Sequence, residues 1–247
     1  SGRGELHIAV LIEEMRRQGY ELQIGKPSVI TKEINGQKCE PLEALTIDVP
    51  PEFMGAVMEK LGTRKAEMVN MTDISGYTRL EFIIPARGLI GFRSELLTST
   101  KGNGIMNHVF HGYAPYKGDI PGRTRGSLVA FEQGETTGYG IYTLQDRGTM
   151  FIGPNEQVYE GMIVGENSRE NDIDINPCKK KNVSNMRTSS SDEAIRLTPP
   201  RILSLEQAIE YINSDELVEV TPEHIRLRKA ILDRTIRGRN AKNARKG

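Results

Sequence analysis

The sequence has no tryptophan, few other aromatic residues and only two cysteines among its 247 residues. Cys39 and Cys178 lie far apart and outside any CxxC or Cys/His cluster, so no zinc site is predicted and free thiols in a reducing cytosol are the simplest interpretation. No apolar run approaches the roughly 18 residues that a membrane-spanning helix needs. We therefore expect a cytoplasmic protein with no membrane partner.

Motifs of nucleotide and metal chemistry are also missing from the sequence. There is no GxxxxGK[ST] phosphate loop, so we do not expect this chain to bind GTP, and there is no HExxH, GxSxG or EF-hand loop. His108 and His111 have the closest histidine spacing, but on a strand that spacing places the two side chains on opposite faces. We predict no catalytic residue, metal site or cofactor in this chain.

Charge is balanced overall but unevenly distributed along the chain. The 33 Lys and Arg residues equal the 33 Asp and Glu residues in number. Residues 223–247, however, hold nine basic against two acidic residues, and residues 179–201 hold six against two. Such zones are typical of polyanion contacts, although a solvated tail without a partner is an equally good interpretation of the terminal zone.

Hydrophobic periodicity predicts an α+β protein made of three parts. Residues 1–36, with a helix over residues 4–18, form the end of one domain. Residues 37–115 follow the order strand, helix, strand, strand, helix, strand, which is typical of a ferredoxin-like antiparallel sheet. Residues 116–247 begin with short strands and frequent glycine, which indicates a small barrel. Its strands are predicted at residues 127–132, 138–142, 149–152 and 162–166.

A helix and two strands are predicted near the C-terminus. Ser204 and Gln207 have the spacing of a capping box, and apolar residues follow them at helical intervals. Residues 218–220 and 225–228 alternate as strands, and the basic tail comes after them.

The basic segment over residues 179–201 is the candidate site. It lacks the apolar residues needed to fold alone, and it combines cations for phosphates with hydroxyl and amide groups for sugars and base edges. We predict that it becomes ordered on RNA, while an interdomain loop with no partner is the alternative. The predicted RNA-binding residues are Lys179, Lys180, Lys181, Asn182, Asn185, Arg187, Ser189 and Arg201, with Arg123 and Arg125 of an exposed turn as weaker candidates.

Several motifs resemble translational GTPases of the BipA/TypA family. The sequence SGRGELH at residues 1–7 resembles the second half of domain III in elongation factor G relatives, and residues 37–115 resemble their domain V. The motif RGLIGFR at residues 87–93 is similar to the BipA/TypA form of that domain. Residues 176–200 and 217–229 resemble the C-terminal domain of the same family, so the resemblance covers nearly the whole chain.

The resemblance implies the C-terminal part of a ribosome-dependent GTPase involved in stress response, virulence-linked regulation and large-subunit assembly. GTP and Mg²⁺ would bind in an N-terminal domain, which we expect to be absent because the chain opens at Ser1 without an initiator Met. The implied partners are the bacterial ribosome, ribosomal RNA and A-site tRNA, the last contacted by residues 179–201.

The leading hypothesis is therefore an RNA-binding module that is a monomer away from the ribosome. One alternative is an accessory part of an enzyme, which stimulates GTP hydrolysis in the separate GTPase domain. Another is a self-assembling protein, because the exposed edges of ferredoxin-like sheets pair readily.

Overall fold

The computed structural model describes residues 5–181 and 196–244. The chain divides into two compact units, one made of Ser1–Lys26 with Arg123–Gly247 and the other of Pro27–Gly122. The structure is mixed α+β, as predicted. In the described ranges, no helix is long and apolar enough to cross a membrane.

The N-terminal segment forms helix α1 (Glu5–Arg17) and strand β1 (Leu22–Gly25). The helix was predicted. Ala9 and Ile12 enter the core with Ile8 packed beside them, whereas Leu11 is exposed. Strand β1 pairs with a strand from the C-terminal part of the chain, Leu22 lying opposite Val220. Helix α1 and strand β1 therefore pack with the C-terminal part of the chain, and the division after Lys26 differs from the sequence boundary at residue 36.

The unit Pro27–Gly122 has the order of strands and helices predicted for residues 37–115. Its elements are β2 (Lys32–Ile34), β3 (Gln37–Val49), α2 (Met54–Thr63), β4 (Glu67–Ile74), β5 (Tyr77–Pro85), α3 (Phe92–Ser99) and β6 (Ile105–Pro115). Strand β3 is central and pairs antiparallel with β2, β5 and β6, while β4 pairs antiparallel with β5. Short 3₁₀ turns precede both helices.

The core of this unit lies between the sheet and its two helices. Alternate residues of β3 and β5 point to the helices because side chains along a strand alternate between faces. The largest members are Leu45, Ile47, Leu80, Ile84, Leu61, Phe92 and Leu96, each almost fully buried. Burial of such side chains contributes about 1.5–3 kcal/mol each, so this layer stabilises the unit strongly.

The remaining elements belong to the larger unit. In chain order they are β7 (Ser127–Ala130), β8 (Gly134–Glu135), α4 (Gly138–Leu144), β9 (Gly148–Met150), β10 (Gln157–Val158), β11 (Met162–Asn167), β12 (Ile173–Ile175), α5 (Leu205–Tyr211), β13 (Glu216–Val220), β14 (Ile225–Lys229) and α6 (Arg234–Ala244). The capping box at α5 is present as predicted, since Ser204 and Gln207 exchange side-chain and backbone hydrogen bonds.

The main sheet of the larger unit is an open path of strands. Its order is β1-β13-β14-β11-β7-β12, with β9 also paired to β11, while β8 and β10 form a separate pair. A small barrel was expected, but among the described residues no pairing joins the end strands β1 and β12. Helices α1 and α5 pack on this sheet around Ile209, Ile212 and Val218.

The strand predicted at residues 138–142 is wrong, because these residues lie in helix α4. The Gly-Tyr-Gly-Ile-Tyr sequence alternates as a strand does, yet Thr137 accepts a hydrogen bond from the Gly140 amide at 2.9 Å and caps the helix. Ile141 and Leu144 are then buried three residues apart on one helix face. The cap and the helical spacing of the buried residues outweigh the two-residue alternation, so the segment forms a helix.

Replacing Gly148 with alanine should destabilise the larger unit. A Cβ atom at this position would collide with the backbone carbonyl of Glu166 in the paired strand, and backbone cannot move aside as a flexible side chain can. We expect a loss of about 1–3 kcal/mol in the free energy of unfolding, measured by urea denaturation. Gly138→Ala is the matched control, because a Cβ there meets nothing within 4 Å. Equal stabilities of the two variants would contradict the close approach of β9 and β11.

Candidate nucleic-acid interface

The three lysines that open the basic segment are exposed and follow directly after an anchored stretch of backbone. Thr137, the cap of α4, receives a hydrogen bond on its side chain from Gly140 and donates from the same hydroxyl to the Lys179 carbonyl. The Thr137 amide also donates to the Pro177 carbonyl at 3.1 Å. The three lysines therefore start at the N-terminal end of α4.

The far end of the segment returns to the same helix. Gln145, the C-cap of α4, donates to the Arg196 carbonyl at 3.3 Å and accepts from the Thr198 amide at 3.2 Å. Arg201 then joins the sheet, its amide donating to Met150 at 2.8 Å and its guanidinium lying 3.5 Å from the Glu166 carboxylate. The eight steps from Thr137 to Gln145 span roughly 12 Å of helix, so α4 sets the distance between the two ends.

Four of the predicted RNA-binding residues, Asn182, Asn185, Arg187 and Ser189, lie outside the described residues. Of the two weaker candidates, Arg125 is exposed, as expected for a turn. Arg123 is not, because its side chain is only 11% exposed and its guanidinium is bound within the larger unit. The structure therefore brings together the two ends of the basic segment, and it gives Arg123 internal partners.

Arg123 belongs to a buried ionic cluster centred on Glu216. The Glu216 carboxylate is fully buried and receives hydrogen bonds from Arg123 at 3.1 Å, Lys229 at 2.8 Å and Ser127 at 2.9 Å. The Arg123 guanidinium also lies 4.0 Å from the centre of the Tyr211 ring. These contacts tie the start of β13 to β14, to β7 and to the end of α5.

Charge decides the protonation of this cluster. Burial alone would raise the pKa of Glu216, but the charges of Lys229 and Arg123, together with the hydrogen bonds from Lys229 and the Asn213 amide, outweigh it and hold that pKa below its ordinary value. Lys229 in turn contacts Asp172 at 2.6 Å and Asp215 at 2.9 Å, and these carboxylates with Glu216 raise the pKa of its ammonium group against the effect of burial. The cluster is therefore ionised at neutral pH.

Helix α6 is a second basic surface, expected from the sequence only as a tail. Arg234 and Arg237, one turn apart, both bind the Asp174 carboxylate, at 3.1 and 2.6 Å, and so attach the helix to β12. Arg239 and Lys242 are exposed, and within residues 5–181 and 196–244 no carboxylate is in ion-pair contact with either. Arg234 and Arg237 are three residues apart in the sequence, which is the spacing of side chains on one face of a helix. This spacing indicates the helix, whereas the count of basic residues alone does not.

Comparisons with known proteins match the two parts of the chain separately. The family model described as "Elongation factor G C-terminus" matches residues 37–124, and the one described as "TypA/BipA C-terminal domain" matches residues 125–234. The chain belongs to the TypA/BipA family. The TypA/BipA match includes the basic segment with both of its anchored ends, and it stops at the first residue of α6.

Curated relatives in the TypA/BipA family carry the name "Large ribosomal subunit assembly factor BipA". The chain is 52% identical over 98% of its length to the Bacillus subtilis (strain 168) protein and 53% identical over 93% of its length to the Synechocystis protein. It spans only 40% and 38% of the length of those two relatives. A crystal structure from Thermus thermophilus is 22% identical with a TM-score of 0.32 over 33% of this chain and 12% of that chain, a likeness too weak to support an argument.

Replacing Glu216 with glutamine should destabilise the larger unit in a pH-dependent way. The substitution leaves Arg123 and Lys229 buried without their shared carboxylate, and we expect a loss of about 3 kcal/mol, the lower end for a broken buried pair because Asp172 and Asp215 still face Lys229. The folded-state pKa of Glu216 is lowered, so its contribution is present above its ordinary pKa and is lost as the pH falls through the folded value.

Urea denaturation of both chains at neutral and at acidic pH measures this contribution. The gap in unfolding free energy between the natural chain and Glu216→Gln should narrow on acidification. Glu170→Gln, at an exposed position of the same unit, is the control. Its unfolding free energy should equal that of the natural chain at every pH. A gap that stays constant as the pH falls would contradict an ionised Glu216.

Asp174→Asn should release helix α6 without unfolding the sheet. Arg234 and Arg237 lose their shared negative charge, and a helix of 11 residues is marginal in water without tertiary contacts. We expect amide hydrogen exchange in α6 to accelerate by about 5-fold or more while exchange in β13 and β14 is unchanged. Unaltered exchange in α6 would show that the Asp174 clamp does not hold the helix.

Proposed function

We propose that this chain is the ribosome-binding portion of a BipA/TypA-type translational GTPase, and that its basic segment contacts ribosomal RNA and A-site tRNA. The observation that carries the proposal is the anchoring of residues 179–201 at both ends of α4, with three adjacent exposed lysines at the start of the segment. The printed names of the relatives, which are assembly factors of the large ribosomal subunit, support a ribosomal partner.

The physical basis is attraction between lysines and phosphates. Lys179, Lys180 and Lys181 are consecutive, so their side chains point in different directions and can contact successive phosphates along a backbone. Each contact releases counterions from the RNA, which makes the affinity fall as salt rises. Because α4 fixes the two ends of the segment, less conformational freedom is lost on binding than in a free tail of the same length.

In this proposal residues 1–36 correspond to the second half of a domain III-like unit, residues 37–115 to a domain V-like ferredoxin-like unit and residues 116–247 to the family's own C-terminal domain. The family-model matches over residues 37–124 and 125–234 support the division between the last two. In this proposal GTP and Mg²⁺ bind a separate N-terminal domain. Within the described residues, no group of three or more His, Cys, Asp or Glu side chains could hold a metal ion.

The same proposal assigns the physiological setting. The parent protein acts in the cytoplasm on the bacterial ribosome, in stress response and assembly of the large subunit. This portion contributes binding and no catalytic residue, and it is a monomer away from the ribosome.

Co-sedimentation with bacterial ribosomes over a salt series tests the proposal. Changing Lys179, Lys180 and Lys181 together to alanine should weaken binding and reduce the slope of log affinity against log salt by about 2 to 3, which is roughly 0.7–0.9 for each phosphate that is no longer bound.

The matched control removes three exposed cations elsewhere, with Lys26, Arg93 and Arg147 changed to alanine. This control should bind nearly as the natural chain does. Equal losses of ribosome affinity in the two triple variants would show that binding depends only on net charge. That result would contradict a site in the basic segment. Binding that does not depend on salt would contradict phosphate contacts altogether.

A further inference from the structure

An aromatic side chain is highly exposed on strand β6, at an edge of the five-stranded sheet in the unit Pro27–Gly122. Phe110 has 57% of its surface in solvent. Its ring meets that of Tyr113 edge to face, with 5.7 Å between the ring centres and 63° between the planes. Strand β6 pairs with β3 only, so the other side of this strand carries no partner among the described residues.

A β-bulge places these two rings on the same face. Phe110 lies opposite Glu43 and Gly112 lies opposite Leu42, so His111 is an extra residue between them. Residues three apart on a regular strand point to opposite faces, but the extra residue restores Phe110 and Tyr113 to one side. The bulge therefore creates the aromatic pair.

A cation contacts the pair, and two more lie over the next tyrosine along the chain. The Lys32 ammonium lies 4.4 Å from the centre of the Tyr113 ring and covers it. Farther along, Tyr116 has Lys38 at 4.8 Å and Arg87 at 4.3 Å from its ring centre. The Phe110 ring is open to solvent, and it contacts the ring of Tyr113 that Lys32 covers.

The acidic groups nearby are already paired. Glu43 contacts the His108 ring nitrogen Nδ1 at 3.3 Å, and the fully buried Glu40 binds the Arg87 guanidinium. Lys32, His108 and Glu43 lie on the same face as Phe110, so the surroundings of this ring are polar. The centre of a typical protein–protein interface, in contrast, contains few charged residues.

We propose that Phe110, Tyr113 and Lys32, here called the β6 aromatic patch, form a binding site for single-stranded RNA. A base stacks on the Phe110 ring, and Lys32 contacts the phosphate next to it. Aromatic rings interleaved with cations are suited to this ligand because every base has a face that stacks, whatever the sequence. The inference deepens the proposed ribosomal role and rests on it for the source of the RNA.

The test measures fluorescence anisotropy of a short labelled single-stranded RNA titrated with the chain. The Lys179, Lys180 and Lys181 to alanine variant serves as background, so that these lysines cannot supply the affinity. In that background Phe110→Ala should weaken binding roughly 5- to 100-fold, as expected for the loss of one stacked base. Lys32→Ala should lower the salt slope by about 0.7. A double-stranded RNA of the same sequence should compete poorly.

Val109→Ala is the matched control. Val109 precedes Phe110, is 69% exposed and lies opposite Ala44, so it points to the other face of the strand. This variant should bind RNA as its background does. Phe110→Tyr should retain the affinity, whereas Phe110→Leu, which keeps apolar area without a ring, should lose it. Equal losses from Val109→Ala and Phe110→Ala, or full affinity in Phe110→Leu, would overturn the stacking site.

Ribosome co-sedimentation separates this inference from the proposed function. A chain that binds single-stranded RNA through Phe110 but does not associate with ribosomes would contradict the ribosomal role and support the patch. If Phe110→Ala lowered ribosome association while its affinity for single-stranded RNA stayed unchanged, the occupant would be a ribosomal protein, and the RNA site would be overturned.

Discussion

The larger unit depends on one carboxylate that has no access to solvent. Glu216 stands at the first position of β13, where its oxygens meet the cations of Arg123 and Lys229 and the hydroxyl of Ser127. A buried charge of this kind is tolerated only when its hydrogen-bonding capacity is filled, and here the filling groups come from distant parts of the chain. Asp172 extends the same set, since it binds Lys229 and accepts from the Ser127 amide at 2.7 Å. The cluster therefore joins β13 to β14 and to β7 through side chains, in addition to the apolar packing of the same strands.

The two units achieve their order by different means. In Pro27–Gly122, alternating apolar residues on long strands meet two helices, and the sheet follows from the pattern of the strands themselves. The larger unit has short strands around two apolar clusters, and polar attachments between loops add to them: Thr137 and Gln145 hold the basic segment, and Asp174 holds α6. These hydrogen bonds and ion pairs fix segments that lie outside the strands.

Local signals in the sequence account for much of this fold. The order of elements in residues 37–115 and the Ser204 capping box could be predicted because periodicity and caps act over a few residues. Residues 138–142 are predicted as a strand because Tyr139 and Ile141 alternate with glycine, whereas the cap at Thr137 starts a helix there. Arg123 was expected to be exposed because its partner Glu216 is 93 residues away, and pairing over that distance leaves no local trace. The same limit applies to β1, whose partner β13 lies at the opposite end of the chain.

The attachment of both ends of the basic segment to α4 has a consequence for how the segment can change. The two ends of α4 hold the segment at a fixed separation, so residues between the two attachment points can be substituted without changing the sheet. The entropic cost of closing a loop between two fixed ends grows only with the logarithm of the loop length. Insertions between the two attachment points therefore change the free energy of folding little. The ligand that the segment binds can change during evolution while the fold stays the same.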